Sequence, residues 1–496
     1  MSESETPQAF PVFLHKLPTE LISEIFILYQ DTHRTEEDEF RESITFRPAS
    51  QYPLTTFTLG SVCRLWHSIT ISTARLWSRF LIEVGPRCLL QVCHRLQLHV
   101  SRSKQLPLSF DVRFEDGWYD LDDGPPPEFR SVFCILVNES HRWSHVCWDL
   151  WAATTKVRSF FGVNRDINLS VLRMLAIKGF VDDDDNLFAM FGRAFALQKL
   201  VIEGVAMNKL SVHMSHLHHL CISGIMDDRG ILFVIKRLAD CFPTLRTLDL
   251  DVDDVPVNVM EDGIQELCFE RLEDLRLKPL TWFETITIFS LFTLPSLRKM
   301  TLISSYHSLD GVEDPHFYAR TGNVMTSFLS RSTCPLSALE IIGINESDGL
   351  CVISSMLKSM PSLTELRLHE TQANKPIDDH DSHPTSIMQA LCVPRASVGG
   401  THQEGRLSQS QNFEPILPNL QNLDLLIDTD RPGFDSAALA GMISSRCTRD
   451  TCAGNARQSC CLRKVKVAVL SKTSQPSLTL LQNLELLKNA GMPIEL

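Results

Sequence analysis

Two clusters of histidine and cysteine hold the residues of this sequence that could most readily bind a metal ion. The clusters are His213, His216, His218 and His219, and Cys447, Cys452, Cys460 and Cys461. Imidazole and thiolate are the usual protein ligands of zinc, but the cysteines lack the paired Cys-x-x-Cys spacing of structural zinc sites. His218 and His219 also occupy variable positions of a strand pattern, where surface side chains are expected. We therefore predict no cofactor, and a metal-binding protein is the remote alternative.

Other patterns could suggest catalysis or calcium binding, but none is complete. Ser355-Met356-Leu357-Lys358 has Ser-x-x-Lys spacing without its companion motifs. Asp182-Asp183-Asp184-Asp185 lacks the glycine and the glutamate of a calcium-binding loop. The sequence contains no glycine-rich phosphate loop, Gly-x-Ser-x-Gly turn or His-Glu-x-x-His motif. We therefore predict that the chain is not an enzyme.

A leucine repeat must position any functional residue in the second half of the chain. Four copies of Pro-x-Leu-x-x-Leu-x-Leu, one with Met in place of a leucine, lie within residues 242–250, 294–302, 360–368 and 417–425. Shorter copies begin at Leu172, Leu197, Leu217, Leu272, Leu336 and Leu462. The commonest intervals are those of leucine-rich repeats, in which short parallel strands alternate with helices around a continuous core. The predicted fold class is α/β, with an irregular leucine-rich-repeat solenoid.

Strand geometry predicts a binding surface on this repeat. In Leu-x-x-Leu-x-Leu the last two leucines point inward, and the residues beside them point outward onto one face. Both signs of charge occur at these outward positions, which favours a protein ligand. The predicted target-binding residues are Lys199, His219, Asp249, Asp274, Arg276, Lys299, Glu365, Arg367, Asp424 and Lys464.

The N-terminal part contains a helix with too many apolar residues for one buried face. Pro18 suits the first turn of a helix because its missing amide costs nothing there. Leu21, Ile25 and Leu28 form one stripe, and Ile22, Phe26 and Tyr29 form the neighbouring stripe. A small domain has a single hydrophobic core, which can bury only part of this apolar surface, so we expect the rest of it to contact a partner chain.

A second apolar stretch follows. Leu59, Val62, Cys63, Trp66 and Ile69 recur at helical spacing and predict a second helix. Leu76-Trp77 follows, and two tryptophans in so short a segment favour a binding surface.

Three motifs in this region resemble the F-box family. They are Leu17-Pro18-Thr19-Glu20-Leu21, Val62-Cys63-Arg64-Leu65-Trp66 and Leu76-Trp77, in the family's order. An acidic insertion separates the two helices, as in the expanded F-box proteins of mushrooms, which the whole chain resembles. The resemblance implies a three-helix F-box ahead of the repeat domain.

The resemblance also implies a function. F-box proteins with repeat domains are substrate-recognition subunits of Skp–cullin–F-box ubiquitin ligases: the box binds a Skp-type adaptor, and through it cullin, while the repeats hold a target protein. The residues that match the family's adaptor-binding positions are Leu17, Pro18, Leu21, Ile25, Phe26, Val62, Cys63, Trp66, Ile69, Leu76 and Trp77. Some of them must instead form the core of the box. The alternative is a leucine-rich-repeat scaffold without ubiquitin-ligase output.

Composition and segment character complete the predicted organisation. The formal net charge of −13 disfavours nucleic-acid and anionic-membrane partners. No secretory signal or membrane-length apolar run is evident, so we expect a cytoplasmic or nuclear protein. The predicted segments are a flexible N-terminus at 1–12, an F-box at 13–82 with an acidic insertion at 30–57, linking helices and strands at 83–160, and the repeat domain at 161–496 with a mobile insertion at about 371–412.

Overall fold

We describe the protein from a computed structural model. The description covers residues 16–32, 56–84, 89–114, 127–149, 167–181, 191–205, 215–224, 243–251, 266–280, 282–304, 315–344, 356–370, 417–428, 436–447, 462–470, 478–489 and 492–495. The chain divides into two compact units. Unit 1 contains Met1–Lys199 and Lys209–His213, and unit 2 contains Leu200–Asn208 and Met214–Leu496.

The described part of unit 1 begins with four helices. They are α1 (Thr19–Thr32), α2 (Thr56–Val62), α3 (Arg64–Ser72) and α4 (Ala74–Trp77). The single second helix predicted from the apolar spacing is wrong, because Cys63 has extended backbone angles and separates α2 from α3. The Cys63 carbonyl oxygen accepts from the His67 amide over 2.9 Å, so Cys63 occupies the N-cap position of α3.

The rest of unit 1 alternates strands and helices. Its elements are β1 (Arg79–Val84), α5 (Leu89–Arg102), β2 (Leu108–Phe114), α6 (Pro127–Asn138), a 3-10 turn (Ser140–Arg142), β3 (Trp143–Asp149) and β4 (Met174–Val181). The four strands pair in parallel and in chain order. Parallel strand pairing therefore begins at β1, upstream of residue 161, where the sequence predicted the repeat domain to begin.

Unit 2 continues this pattern with β5, which begins at the unit boundary. Its sheet strands are β5 (Lys199–Val205), β6 (His219–Ser223), β7 (Thr247–Asp251), β9 (Asp274–Leu280), β11 (Lys299–Ser304), β12 (Ala338–Ile344), β13 (Glu365–Glu370), β14 (Asn422–Asp428), β15 (Lys464–Leu470) and β16 (Ile494–Glu495). They follow one another in chain order. A separate parallel pair contains β8 (Leu267–Cys268) and β10 (Phe292–Thr293). The described helices are α7 (Trp282–Leu291), α8 (Pro315–Ser332), α9 (Ser436–Cys447) and α10 (Leu478–Asn489).

The inward leucines of the repeat are buried, as predicted. In the copy at residues 242–250, Leu245, Leu248 and Leu250 are at most 1% exposed. The same three positions are buried in the copies that begin at Leu272, Leu297, Leu336, Leu363, Leu420 and Leu462. The described part of the chain therefore confirms a mixed α/β fold with repeated parallel strands around a shared apolar core.

Backbone hydrogen bonds at a recurring turn connect successive repeats of the described strands. At strands β7, β9, β11, β12, β13, β14 and β15, the residue before the strand and the first residue of the strand donate their amides to the equivalent carbonyl of the preceding repeat, as Glu273 and Asp274 do to Arg246. The residue after the repeat proline adds a side-chain bond: Ser362 Oγ donates to the Leu336 oxygen over 2.9 Å. Thr244 Oγ1 donates to the equivalent Leu217 oxygen and also lies within bonding distance of the Ser215 oxygen. Ser296 and Asn419 donate instead to the oxygens of Glu270 and Pro361, two residues earlier in the preceding repeat. These bonds satisfy polar groups at the turn that would otherwise be unpaired.

Two sequence predictions concern residues outside the described ranges. They are the flexible N-terminus at 1–12 and the mobile insertion at about 371–412. Helix α1 extends to Thr32 and α2 begins at Thr56, so the predicted insertion at 30–57 is shorter than expected at both ends.

Candidate functional site

Helix α1 separates its two apolar stripes in the way its spacing predicted. Ile22 and Phe26 are 1% and 3% exposed and belong to the core of the N-terminal helices. Leu21, Ile25 and Leu28 are 51%, 45% and 58% exposed. Burying one exposed leucine is worth about 1.5–3 kcal/mol, so three on one helix face form an apolar surface suited to a partner.

The structure divides the predicted adaptor-binding residues into three groups. Those with exposed side chains are Leu17, Pro18, Leu21, Ile25 and Val62. Those that are half-buried are Cys63 and Trp66. Those in the core, at no more than 3% exposed, are Phe26, Ile69, Leu76 and Trp77. The assignment of this last group to adaptor contact is corrected, because their side chains are already enclosed within unit 1.

Buried hydrogen bonds hold the helices that present the exposed stripe. Thr56 Oγ1 at the start of α2 donates to the Leu76 oxygen over 2.9 Å, and Gln30 Nε2 on α1 donates to the same hydroxyl over 3.0 Å. Trp77 Nε1 donates to the Thr70 oxygen over 2.7 Å. These bonds connect all four helices, so the orientation of α1 is fixed by polar contacts as well as by apolar packing.

An aromatic cluster continues from these helices to β1 and α5. The rings of Phe57, Trp77 and Phe80 surround His99 with centroids 4.8–5.5 Å from it. His99 Nδ1 lies 3.1 Å from the Trp77 oxygen. Burial, opposed by this hydrogen bond and assisted by Arg102, lowers the pKa of His99 to about 4. His99 is therefore neutral at neutral pH and acts as a packing residue.

The second candidate surface is the outward face of the strands in unit 2. Strand register places the outward side chains in two rows across the sheet. The first row is His219, Thr247, Asp274, Lys299, Ala338, Glu365, Asn422 and Lys464. The second is Cys221, Asp249, Arg276, Thr301, Glu340, Arg367, Asp424, Lys466 and Glu495. The structure thus brings nine of the ten predicted target-binding residues onto one face. The tenth, Lys199, is assigned to unit 1.

The second row alternates in charge, with Thr301 as a polar spacer. Within this row Lys466 Nζ lies 3.5 Å from Asp424 Oδ2. Lys464 of the first row reaches across to Glu495 of the second row, with its Nζ 3.1 Å from Glu495 Oε2. Thr301 Oγ1 donates to Glu340 Oε2 over 3.2 Å. Opposite charges on neighbouring strands stabilise their pairing, while like charges oppose it. This register therefore favours the observed order of repeats.

Asp249 departs from the prediction that it lies on an open surface. Its side chain is 2% exposed, with Lys278 Nζ 3.7 Å and Arg276 Nη1 4.0 Å from its Oδ2 atom. It points to the outward face, but cations from the next strand lie beside it. We therefore remove Asp249 from the residues that a partner could reach. Burial also raises the pKa of Asp274, against the opposing effect of Lys299 at 3.6 Å.

Lys466 lies at an outward position of the copy that begins at Leu462 but was not among the ten predicted target-binding residues. Sequence reasoning missed three further charged residues of this face. Glu340 lies at an outward position of the shorter copy that begins at Leu336, so the same pattern could have found it. Lys278 lies beyond the end of its motif. Glu495 lies on β16, whose sequence does not contain the leucine repeat. The repeat pattern therefore could not have predicted Lys278 or Glu495.

The candidate metal ligands are not brought together in the part of the chain that the structure describes. Within those residues no group of three or more His, Cys, Asp or Glu side chains could hold a metal ion. His216 and His218 are exposed and His219 is half-buried on β6. His213, Cys452, Cys460 and Cys461 lie outside the described ranges.

Comparison with known protein families and with curated proteins finds no match for this chain. Among the described helices, none is both long and apolar enough to cross a membrane.

Proposed function

We propose that the chain is the substrate-recognition subunit of a Skp–cullin–F-box ubiquitin ligase. In this role it performs no chemistry. It binds a Skp-type adaptor through its N-terminal helices and a target protein through its repeat domain, which raises the effective concentration of the target near the conjugating enzyme.

The observation that carries the proposal is the exposed apolar stripe of α1. Leu21, Ile25 and Leu28 are about half exposed although the neighbouring stripe is buried. Leu17 at 36% and Val62 at 57% are also exposed, and both belong to motifs that resemble the F-box. Four of these five exposed residues, all but Leu28, coincide with positions that match the family's adaptor-binding positions, which supports this function over an unrelated helical domain.

The test is a pull-down of the full chain with a fungal Skp-type adaptor. Leu21→Glu/Ile25→Glu places two charges in the stripe and should reduce adaptor binding at least about a hundredfold, because two anchors of a buried interface are lost. The matched control is Leu486→Glu, which changes a 67% exposed leucine on α10 of unit 2 and should leave binding unchanged.

Circular dichroism must show that the variants are folded. Equal adaptor binding by wild type and the double variant would contradict the proposal.

The second candidate function is a repeat scaffold without ubiquitin output. The charged face of unit 2 supports a scaffold as much as it supports a ligase subunit, because that face can bind a protein whether or not cullin is present. The two functions differ in one measurement. A ligase subunit supports ubiquitin transfer to its bound target in a reconstituted adaptor–cullin complex, whereas a scaffold binds the target without transfer.

A further inference from the structure

In most ion pairs on the outward face of unit 2, the cationic side chain is more exposed than its carboxylate partner. Lys299 is 51% exposed and its partner Asp274 is 34% exposed. Lys466 is 54% exposed over Asp424 at 22%. Arg367 at 46% is also more exposed than Glu365 at 34%. Among the pairs of the described strands, the pair of Lys464 at 54% and Glu495 at 59% is the exception.

This difference in exposure has a simple physical cause. Lysine and arginine carry their charge at the end of a long aliphatic stem, whereas aspartate holds its carboxylate close to the strand. On a sheet face with alternating charge, the cations therefore extend past the carboxylates that they pair with. A ligand that approaches this face meets positive charge first, although the two rows contain nearly equal numbers of cations and carboxylates.

We infer that this face binds an extended acidic peptide segment. The contacts are made by Lys299, Arg367, Lys464 and Lys466, which we call the cation-tipped face. Because the chain as a whole has a formal net charge of −13, this is a local feature and not the background charge of the protein. The inference deepens the proposed function, since the segment would belong to the target, but the surface exists independently of adaptor binding.

Strand register also sets a spacing for the ligand. Arg367 on β13 and Lys466 on β15 flank Asp424 on β14 in one row. Neighbouring strands lie about 4.8 Å apart, so the two cations are anchored about 10 Å apart. A peptide in the extended polyproline II conformation has three residues per turn and rises about 3.1 Å per residue, so acidic groups three residues apart lie on one side of it, about 9 Å apart, and match these cations. The recognised groups are carboxylates or phosphates, which share negative charge and oxygen acceptors.

The test measures fluorescence anisotropy of labelled ligands with the full chain. The ligands are a peptide with glutamate at every third position, the same peptide with phosphoserine at those positions, a peptide of equal composition with its glutamates adjacent, and single-stranded DNA. Comparison of the first two shows whether carboxylate or phosphate is preferred. The third tests the spacing, and the fourth tests for general polyanion binding.

The variant Lys464→Glu/Lys466→Glu should weaken binding of the spaced peptide about tenfold or more. The control Lys358→Glu/Lys488→Glu changes the net charge equally at two exposed lysines outside the strands and should change affinity less than about twofold. Lys464→Gln/Lys466→Gln serves if the reversal variant is not folded.

Three results would overturn the inference: no binding of either spaced peptide by wild type, equal losses in the face and control variants, or DNA binding as tight as peptide binding. None of these bears on the adaptor pull-down, so failure of this inference is distinguishable from failure of the proposed function.

Discussion

Trp77 donates a hydrogen bond from Nε1 to the backbone oxygen of Thr70 over 2.7 Å, and both residues are buried. The bond joins α4 to α3 within the core that also contains Phe26 of α1. The exposed stripe of α1 therefore depends on a core whose largest side chain is both packed and hydrogen-bonded. This arrangement makes Trp77 a structural residue of the candidate adaptor surface.

Trp77→Phe should destabilise the N-terminal helices by about 1–3 kcal/mol, because the Thr70 oxygen loses its buried donor and the smaller ring leaves a gap. Hydrogen–deuterium exchange of α3 and α4 amides measures this change locally. Trp66→Phe is the control, since Trp66 is half-buried at the edge of the same core. If exchange in the two variants is equally fast, the hydrogen bond of Trp77 contributes nothing measurable.

His99 gives a prediction for pH. Its folded-state pKa is lowered to about 4, below the ordinary value of 6.5, so the unfolded chain binds the proton more readily. The stability contribution is therefore present above pH 6.5 and is lost as the pH falls towards 4, by up to about 3 kcal/mol.

His99→Phe should remove this part of the pH dependence of the unfolding free energy between pH 6.5 and 4. Carboxylates titrate in the same range, so the relevant quantity is the difference between variant and wild type. His94→Gln, which changes an exposed histidine on the same helix, is the control. An unchanged slope in His99→Phe would show that the pKa of His99 is not lowered by folding.

Ser362 tests the recurring turn between repeats. Ser362→Ala removes the donor to the Leu336 oxygen and should cost about 0.5–1.5 kcal/mol in the free energy of unfolding, measured with urea. Ser362→Thr is the matched control, because Thr244 makes the equivalent bond in an earlier repeat. A loss of stability in the threonine variant as large as in the alanine variant would mean that packing, and not the hydrogen bond, determines the effect.

The repeat could be predicted from sequence because burial acts on every copy. Leu245, Leu248 and Leu250 must be apolar for the strands to share a core, so their spacing recurs and is visible. The break at Cys63 was not visible, since Leu59, Val62 and Trp66 keep helical spacing on both sides of it. Apolar periodicity indicates which face of a segment is buried. A single extended residue between two helices hardly alters that spacing, so the spacing could not reveal the break.

The candidate surfaces were predictable to different degrees. Strand alternation correctly placed Asp274, Lys299 and Arg367 on one face, because the direction of a side chain follows from its position in a strand. It could not show that Asp249 is covered, since that depends on the side chains of Arg276 and Lys278 on a neighbouring strand. In α1 the spacing gave two stripes, but which one is exposed depended on where the other helices pack.

The alternating row on unit 2 makes a prediction that isolated ion pairs do not. Lys466→Asp would place three anions in sequence, because Asp424 and Glu495 flank position 466 in the register. We expect a loss of about 0.5–1 kcal/mol in the free energy of unfolding at low salt, and a smaller loss at high salt. Lys466→Ala should lose less, because it removes the attraction without adding repulsion.

The double variant Asp424→Lys/Lys466→Asp distinguishes the two cases. If the pair acted alone, exchanging its charges would restore wild-type stability. In an alternating row the exchange restores the central pair but sets the new lysine beside Arg367 and the new aspartate beside Glu495. We therefore expect the double variant to remain less stable than wild type by about 0.2–1 kcal/mol at low salt. Complete restoration would show that each pair acts independently and that charge alternation does not contribute to the order of the repeats.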